Sequence, residues 1–303
     1  MNDILTNIFT ITFAAQIFRL FTPYYLGASA ANFSERGGII NIAIEGFMIS
    51  SAFSYALFAI VTGNSLLALF MAILINIIFS FFFSLFTVKL KLNHIVTGVG
   101  FNLLMAGLSK FLIIFIFNSS SNTPRFEDLP NAPFLKEIPH IGEVVSDYII
   151  IFTIALLFIS NYILFKTKFG LRLRSSGENP EAGNSLGIMV RKYKVYGVLI
   201  SGFLSGLAGA WLAGNQNSYS DGMIAGRGYI ALAAMIIGKW KPTNIFFACL
   251  MFAFFEALEI SIQISGTNIP SQLVQIVPYA ITIIVLVAFV AKTKPPAADG
   301  IPY

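Results

Sequence analysis

Several polar side chains stand inside long apolar stretches of this sequence, where they could recognise a small polar molecule. They are Asn41, Glu45, Asn102 and Glu256. An ionisable or amide group inside hydrocarbon is costly unless it faces a partner or a water-filled cavity. Amides and carboxylates match the hydroxyl and amide groups of a small solute, so we expect these four residues to line a path through the protein. The alternative is that they hydrogen-bond neighbouring helices.

No arrangement in the sequence is typical of a catalytic or metal centre. His94 and His140 are isolated, without the neighbouring ligands that a zinc site needs. The phosphate-binding loop G-x-x-x-x-G-K-[ST] is also absent, since Gly238-Lys239 is followed by Trp240. We therefore predict that the chain is not an enzyme, has no catalytic residue and no metal, and binds no cofactor of its own.

A basic segment, residues 166–195, contains a short helix with recognisable ends. Asn179 suits the N-cap and Pro180 suits the first helical position. Glu181 complements the positive end of the helix dipole, and Gly187 is placed to end the helix. A capped helix in a loop is rigid and can fit a socket on a soluble partner. A solvated loop helix without a partner is the other interpretation.

The composition requires lipid around the elements that hold these residues. Apolar residues make up 56% of the chain and charged residues only 11%, against about 25% in a soluble domain. The apolar stretches are too long for barrel strands, and backbone groups in hydrocarbon must be satisfied internally. We predict an all-α polytopic membrane protein with about 8–10 spans. The net charge of +5 comes from Lys and Arg in short loops between apolar stretches, which is the pattern of cytoplasmic loops in membrane proteins. We therefore predict no nucleic-acid partner.

The apolar stretches give approximate spans along the chain. They cover about 6–31, 38–60, 66–88, 95–117, 148–165, 196–213, 244–264 and 272–291, with a shorter apolar piece at 228–238. Glycine-marked helix starts at Gly37 and Gly226 stand in corresponding parts of two halves. Such paired interrupted segments are typical of a transporter's substrate path, although two ordinary helix starts would look the same.

Loop charge predicts the orientation in the membrane. Residues 118–147 carry five carboxylates against two cations, whereas 166–195 carry seven Lys and Arg against Glu178 and Glu181. Because cytoplasmic loops collect Lys and Arg, we expect 118–147 outside the cell and both 166–195 and the C-terminus inside it.

Three motifs resemble those of permease subunits of ATP-binding cassette (ABC) importers, in the group that carries branched-chain amino acids, simple sugars and nucleosides. Glu178-Asn179-Pro180-Glu181-Ala182, followed by Gly187-Ile188, resembles their ATPase-coupling loop. Residues 33–46 and 226–242 resemble the N-terminal and C-terminal signatures of the nucleoside and simple-sugar branch. The resemblance covers roughly residues 15–290, with departures at Gly183 and at the two lysines that flank Trp240.

The resemblance implies a specific machine. The chain would be a single permease domain over 1–303 with two pseudo-symmetric halves, in the bacterial cytoplasmic (inner) membrane. It would import nucleosides beside a second, different and longer permease. A cytoplasmic ATPase, which holds ATP and Mg, would engage seven residues of the basic loop: Glu178, Asn179, Pro180, Glu181, Ala182, Gly187 and Ile188. An extracytoplasmic binding lipoprotein would deliver the substrate.

Other functions stay open at this stage. Within the resembling group, ribose- or galactose-type sugars and branched-chain amino acids are alternative substrates. A different class of protein, an ion-coupled secondary transporter, would also have many spans, but the capped basic helix has no role in it.

Overall fold

The computed structural model describes residues 11–126, 147–264, 276, 280, 283 and 294–303. Most of these residues are helical, and an isolated strand-like bridge joins Asn122 to Ser220. The helices are α1 (Ile11–Arg36), α2 (Ile44–Thr62), α3 (Ser65–Ser84, continued by a π-helical turn Leu85–Lys89), α4 (His94–Phe117), α5 (Tyr148–Lys166), α6 (Lys168–Glu178), α7 (Pro180–Ser185), α8 (Val190–Gln216), α9 (Arg227–Ile237) and α10 (Pro242–Ile264).

Six of the described helices are long and apolar enough to cross a bilayer. They are α2, α3 with its π-helical turn, α4, α5, α8 and α10. Helix α1 has 26 residues, contains Pro23 and carries more polar side chains than any one of these six helices. The all-α polytopic fold is thereby confirmed, and the predicted span over 272–291 lies outside the described residues.

Helix α8 lies at the centre of the fold and packs against α1, α2 and α3. In its most apolar stretch 72% of the residues are buried, against 28% in α3. Small residues let backbones approach closely where no hydrophobic force drives helices together. A Cβ atom on Gly209 of α8 would lie only 2.2 Å from the backbone oxygen of Met48 in α2. Glycine therefore permits this central contact.

The outer helices present bulky apolar side chains to their surroundings. Leu103, Phe115 and Phe158, on α4 and α5, are 71%, 73% and 71% exposed. A water-soluble protein would not leave so many large apolar groups uncovered. This surface is suited to lipid.

The two oppositely charged loops adjoin opposite ends of α8. The basic segment leads into α8 at Val190, whereas residues 118–126 contact the segment that follows the end of α8. There the backbone N–H of Thr123 donates to the carbonyl of Tyr219 (2.9 Å). Residues 127–146, the larger part of the predicted 118–147 loop, lie outside the described residues. The assignment of each end to a side of the membrane stays a prediction.

The structure corrects three element boundaries. The predicted span at 38–60 begins only at Ile44, because residues 37–43 are not helical. The basic segment holds α6 as well as the predicted short helix, since the Thr167 hydroxyl accepts from the backbone N–H of Gly170 (3.1 Å) and caps α6. Helix α8 starts at Val190, six residues before the predicted 196, since the prediction followed the apolar stretch and left out the basic residues that begin this helix.

Candidate functional site

The two glycine-marked helix starts meet inside the protein. Buried Glu45 lies in the first turn of α2, and its carboxylate accepts hydrogen bonds from the backbone N–H groups of Gly226 (2.9 Å) and Gly228 (2.7 Å). These N–H groups at the start of α9 have no partner within the helix, and the helix dipole favours a negative charge there. A Cβ atom on Gly228 would lie 2.7 Å from Cα of Glu45, so the two backbones touch. We call this contact the helix crossing.

Asn102 of α4 closes the helix crossing from another side. Its Oδ1 accepts from the backbone N–H of Gly46 (2.8 Å). Its Nδ2 donates to the carbonyl of Ile42 (3.0 Å) and to the hydroxyl of Tyr229 (2.9 Å). One amide side chain therefore joins α2, the non-helical residues before it, and α9.

Glu256 of α10 reaches the helix crossing through Arg227, the first residue of α9. The guanidinium of Arg227 and the carboxylate of Glu256 form an ion pair of 2.6 Å, with side-chain exposures of only 19% and 14%. The hydroxyl of Tyr24 in α1 donates to the same carboxylate. A buried charge is tolerated when it is paired and hydrogen-bonded, and this pair meets both conditions.

Asn41 lies apart from the other three predicted path residues. It is fully buried, and its Nδ2 donates to the hydroxyl of Ser201 on α8 (2.9 Å). Its Oδ1 has no hydrogen-bond partner among the described residues. Asn41 therefore links residues 37–43 to the central helix and keeps one acceptor unused.

The structure thus brings three of the four predicted path residues together: Glu45, Asn102 and Glu256 surround the first turn of α9. All four side chains also hydrogen-bond within the chain, as the alternative interpretation expects. Sequence reasoning did not assign Arg227 and Tyr229 to this site. Both stand in the Gly226 motif, which the sequence pairs with the Gly37 motif as corresponding parts of two halves, but that pairing does not show that the two segments touch at Glu45.

The predicted capped helix is α7. The Asn179 side chain accepts from the backbone N–H of Ala182 (3.0 Å), and Pro180 occupies the first turn, as the sequence predicts. Gly187 follows the helix with φ +78°, a left-handed conformation that favours glycine. Leu186 is 80% exposed, so this end of the basic segment presents an uncovered apolar side chain.

Glu178 turns partly back toward the protein. Its carboxylate forms an ion pair with Arg36 (3.8 Å) and accepts from the backbone N–H of Ala297 (3.2 Å), while its side chain is 52% exposed. Glu178 therefore joins α6 to the end of α1 and to residues 294–303. Whether a soluble partner also contacts it stays a prediction.

The sequence matches the family described as branched-chain amino acid transport system / permease component over residues 13–286. Over 295 residues it is 40% identical to the nucleoside ABC transporter permease protein NupC of Lactococcus lactis, covering 93% of each chain. It is 37% identical over 295 residues to the guanosine ABC transporter permease protein NupQ of Bacillus subtilis, covering 93% of this chain and 92% of NupQ.

A second permease protein of Lactococcus lactis, the nucleoside ABC transporter permease protein NupB, is 24% identical over 294 residues, with 92% of this chain and 80% of NupB covered. Among solved structures, a metal-chelate type ABC transporter in an inward-facing conformation superposes with a TM-score of 0.50 at 19% identity, covering 89% of this chain and 85% of that one. At this identity the likeness concerns the fold alone.

Proposed function

This chain belongs to the family of permease components of branched-chain amino acid transport systems, and we propose that the cargo it imports is a nucleoside. It is a multi-pass membrane protein and a transport component, not an enzyme. The observation that carries the choice of cargo is the similarity, over nearly the full length, to proteins named as nucleoside and guanosine permeases. Sugars and branched-chain amino acids are the alternatives that the wider family suggests.

The helix crossing supports a path role for Glu45, Asn102 and Glu256, and we propose the same role for Asn41, whose buried Oδ1 has no hydrogen-bond partner among the described residues. A nucleoside presents hydroxyls, ring nitrogens and an apolar base, which amide, carboxylate and aromatic groups can bind. The crossing gathers such groups between two helix starts, including the hydroxyl of Tyr229. During transport α9 moves away from α2, and these groups exchange their partners in the chain for the solute.

The proposed machine contains further subunits. Similarity to both NupC and NupB of one organism supports a second, different permease beside this chain. A cytoplasmic ATPase holds ATP and Mg and docks on the basic segment through the seven residues from Glu178 to Ile188 named above. An extracytoplasmic lipoprotein delivers the nucleoside, and the machine works in the bacterial cytoplasmic membrane with the C-terminus inside.

Transport by the whole machine tests the proposal. Vesicles that contain this chain, the second permease, the ATPase and the binding protein should accumulate radiolabelled guanosine only with ATP. Unlabelled nucleosides should compete, whereas ribose and leucine should not. The matched control is the same complex with an ATPase that binds but does not hydrolyse ATP.

Two outcomes would contradict it. Uptake that survives ATP depletion and collapses with the proton gradient would favour an ion-coupled transporter. Absence of guanosine uptake, together with ATP-dependent uptake of labelled ribose or leucine, would leave the permease role but assign a different cargo.

A further inference from the structure

Residues 294–303 lie against the segment proposed to dock the ATPase. The backbone N–H of Ala298 donates to the carbonyl of Gly177 (2.8 Å), and that of Ala297 donates to the carboxylate of Glu178 (3.2 Å). Ala298 is buried at 7% exposure. This stretch is therefore fastened to the last turn of α6, immediately before the capped helix α7.

Three backbone segments come into close contact at this point. A Cβ atom on Gly177 would lie 2.4 Å from the carbonyl oxygen of Arg36 and 2.9 Å from the nitrogen of Gly38. A Cβ atom on Gly38 would lie 3.2 Å from the carbonyl oxygen of Ala298. Because close-packed interiors have little free volume, a shift of α6 must move residues 36–38 with it.

Buried charges reinforce the same contact. Lys194, at the start of α8, is 1% exposed, and its ammonium donates to the carbonyl of Gly38 (3.4 Å). Asp299 is the acidic group that interacts electrostatically with this ammonium. Burial raises the pKa of Asp299 to about 7, and the Lys194 charge opposes this rise. Above that pH the carboxylate is available to balance the buried lysine.

The second half of the chain joins the network through Trp240. The Arg36 guanidinium donates twice to the carbonyl of Trp240 (2.8 and 3.1 Å), and the indole N–H of Trp240 donates to the carboxylate of Glu35 (2.8 Å). Trp240 stands between α9 and α10. The end of α1 is thus linked at once to the docking segment and to the loop that follows α9.

We propose that residues 294–303 form a brace that transmits movement of α6 and α7 to residues 36–43, with Lys194 and Asp299 as its positioning residues. Residues 37–43 lead into the first turn of α2, which contains Glu45, so the brace connects the docking segment to the helix crossing. This inference rests on the proposed docking role of the basic segment. It goes beyond that role by assigning the transmission to residues that contact neither ATP nor cargo.

Two variants test the brace in the complete transporter reconstituted in vesicles. Asp299→Asn removes the charge that faces Lys194, and Ala298→Pro removes the N–H bonded to Gly177 without changing any charge. The control is Asp221→Asn, which removes a carboxylate paired with Lys110 (3.2 Å). Asp221 follows the C-terminal end of α8, whereas the brace contacts the N-terminal end of that helix. Assays at about pH 8 keep the Asp299 carboxylate of the unaltered protein ionised.

We expect the ATPase to copurify normally with both variants. The number of ATP molecules hydrolysed per guanosine transported should rise at least about fivefold, because fivefold is the lower end of the coupling typically found between two sites of a protein. The Asp221 variant should keep the normal ratio. An unchanged ratio in both brace variants overturns the inference. Loss of the ATPase from the complex also overturns it, because the segment would then belong to the docking surface. Failure of the unaltered complex to use ATP would instead contradict the proposed function.

Discussion

At the scale of single residues, Glu45 shows how a buried carboxylate is made tolerable. Two backbone N–H groups of α9 surround it at 2.9 and 2.7 Å, so its charge is solvated by the protein rather than by water. Because these N–H groups would lose their partner without it, Glu45 also stabilises the start of α9. Position 228 must in turn be a glycine, because no larger residue fits against the backbone of Glu45.

Gly228→Ala should separate α9 from α2. The added Cβ would lie 2.7 Å from Glu45 Cα, and overpacking of this kind costs about 1–3 kcal/mol. We expect a lower melting temperature in detergent and a loss of uptake, because the clash forces apart the helix crossing that holds three of the proposed path residues.

The matched control for this variant is Gly107→Ala in α4. Among the described residues, no atom outside the backbone of α4 lies within 4 Å of a Cβ placed there, so the change should be neutral or slightly stabilising in a helix. Equal behaviour of the two variants would show that the close contact at Gly228 is unimportant.

At the scale of elements, α7 depends on its cap. A helix of 6 residues makes few internal hydrogen bonds, so loss of the one from Ala182 to Asn179 matters more than it would in a long span. Helix α3 begins with a cap of the same kind, in which Asn64 accepts from Leu66 and Leu67. The helix that Asn64 caps is long and apolar, so lipid stabilises it whether or not the cap is present.

Asn179→Ala should destabilise α7 by about 1 kcal/mol and weaken the ATPase interaction. Copurification of the ATPase with the permease at increasing salt measures this, and the variant should release the ATPase at lower salt than the unaltered protein. Asn64→Ala removes an equivalent cap and should have no effect. If the Asn179 variant retained the ATPase as firmly as the Asn64 variant, α7 would not be a docking element.

At the scale of the whole molecule, cysteine labelling can determine on which side of the membrane each loop lies. The native Cys249 is fully buried in α10, so introduced cysteines should dominate the signal from a membrane-impermeant maleimide. Leu186→Cys, at an 80% exposed position after α7, should be labelled only in inside-out vesicles. Ser120→Cys, in the exposed stretch after α4, should be labelled only in right-side-out cells. Labelling of the Leu186 variant in intact cells would place the basic segment outside and remove the ATPase from the proposed machine.

The sequence by itself determined that the chain is an all-α polytopic membrane protein and where α7 begins and ends. Long apolar stretches are stable as helices surrounded by hydrocarbon. The cap of α7 depends only on residues within a few positions of Asn179. Both properties are local, so one-dimensional patterns suffice to predict them. The same reasoning identified Glu45, Asn102 and Glu256 as exceptional, because charge and amide groups are costly in hydrocarbon.

Only the tertiary structure decided what these polar residues contact. Glu45 and Gly228 are 183 residues apart, and Glu178 and Ala297 are 119 apart. Which helices cross, and at which turn, depends on the packing of small residues such as Gly209 around α8 and on the hydrogen bonds that buried polar groups form between helices. Those conditions involve the whole chain together, so no spacing along the sequence could reveal the helix crossing or the brace.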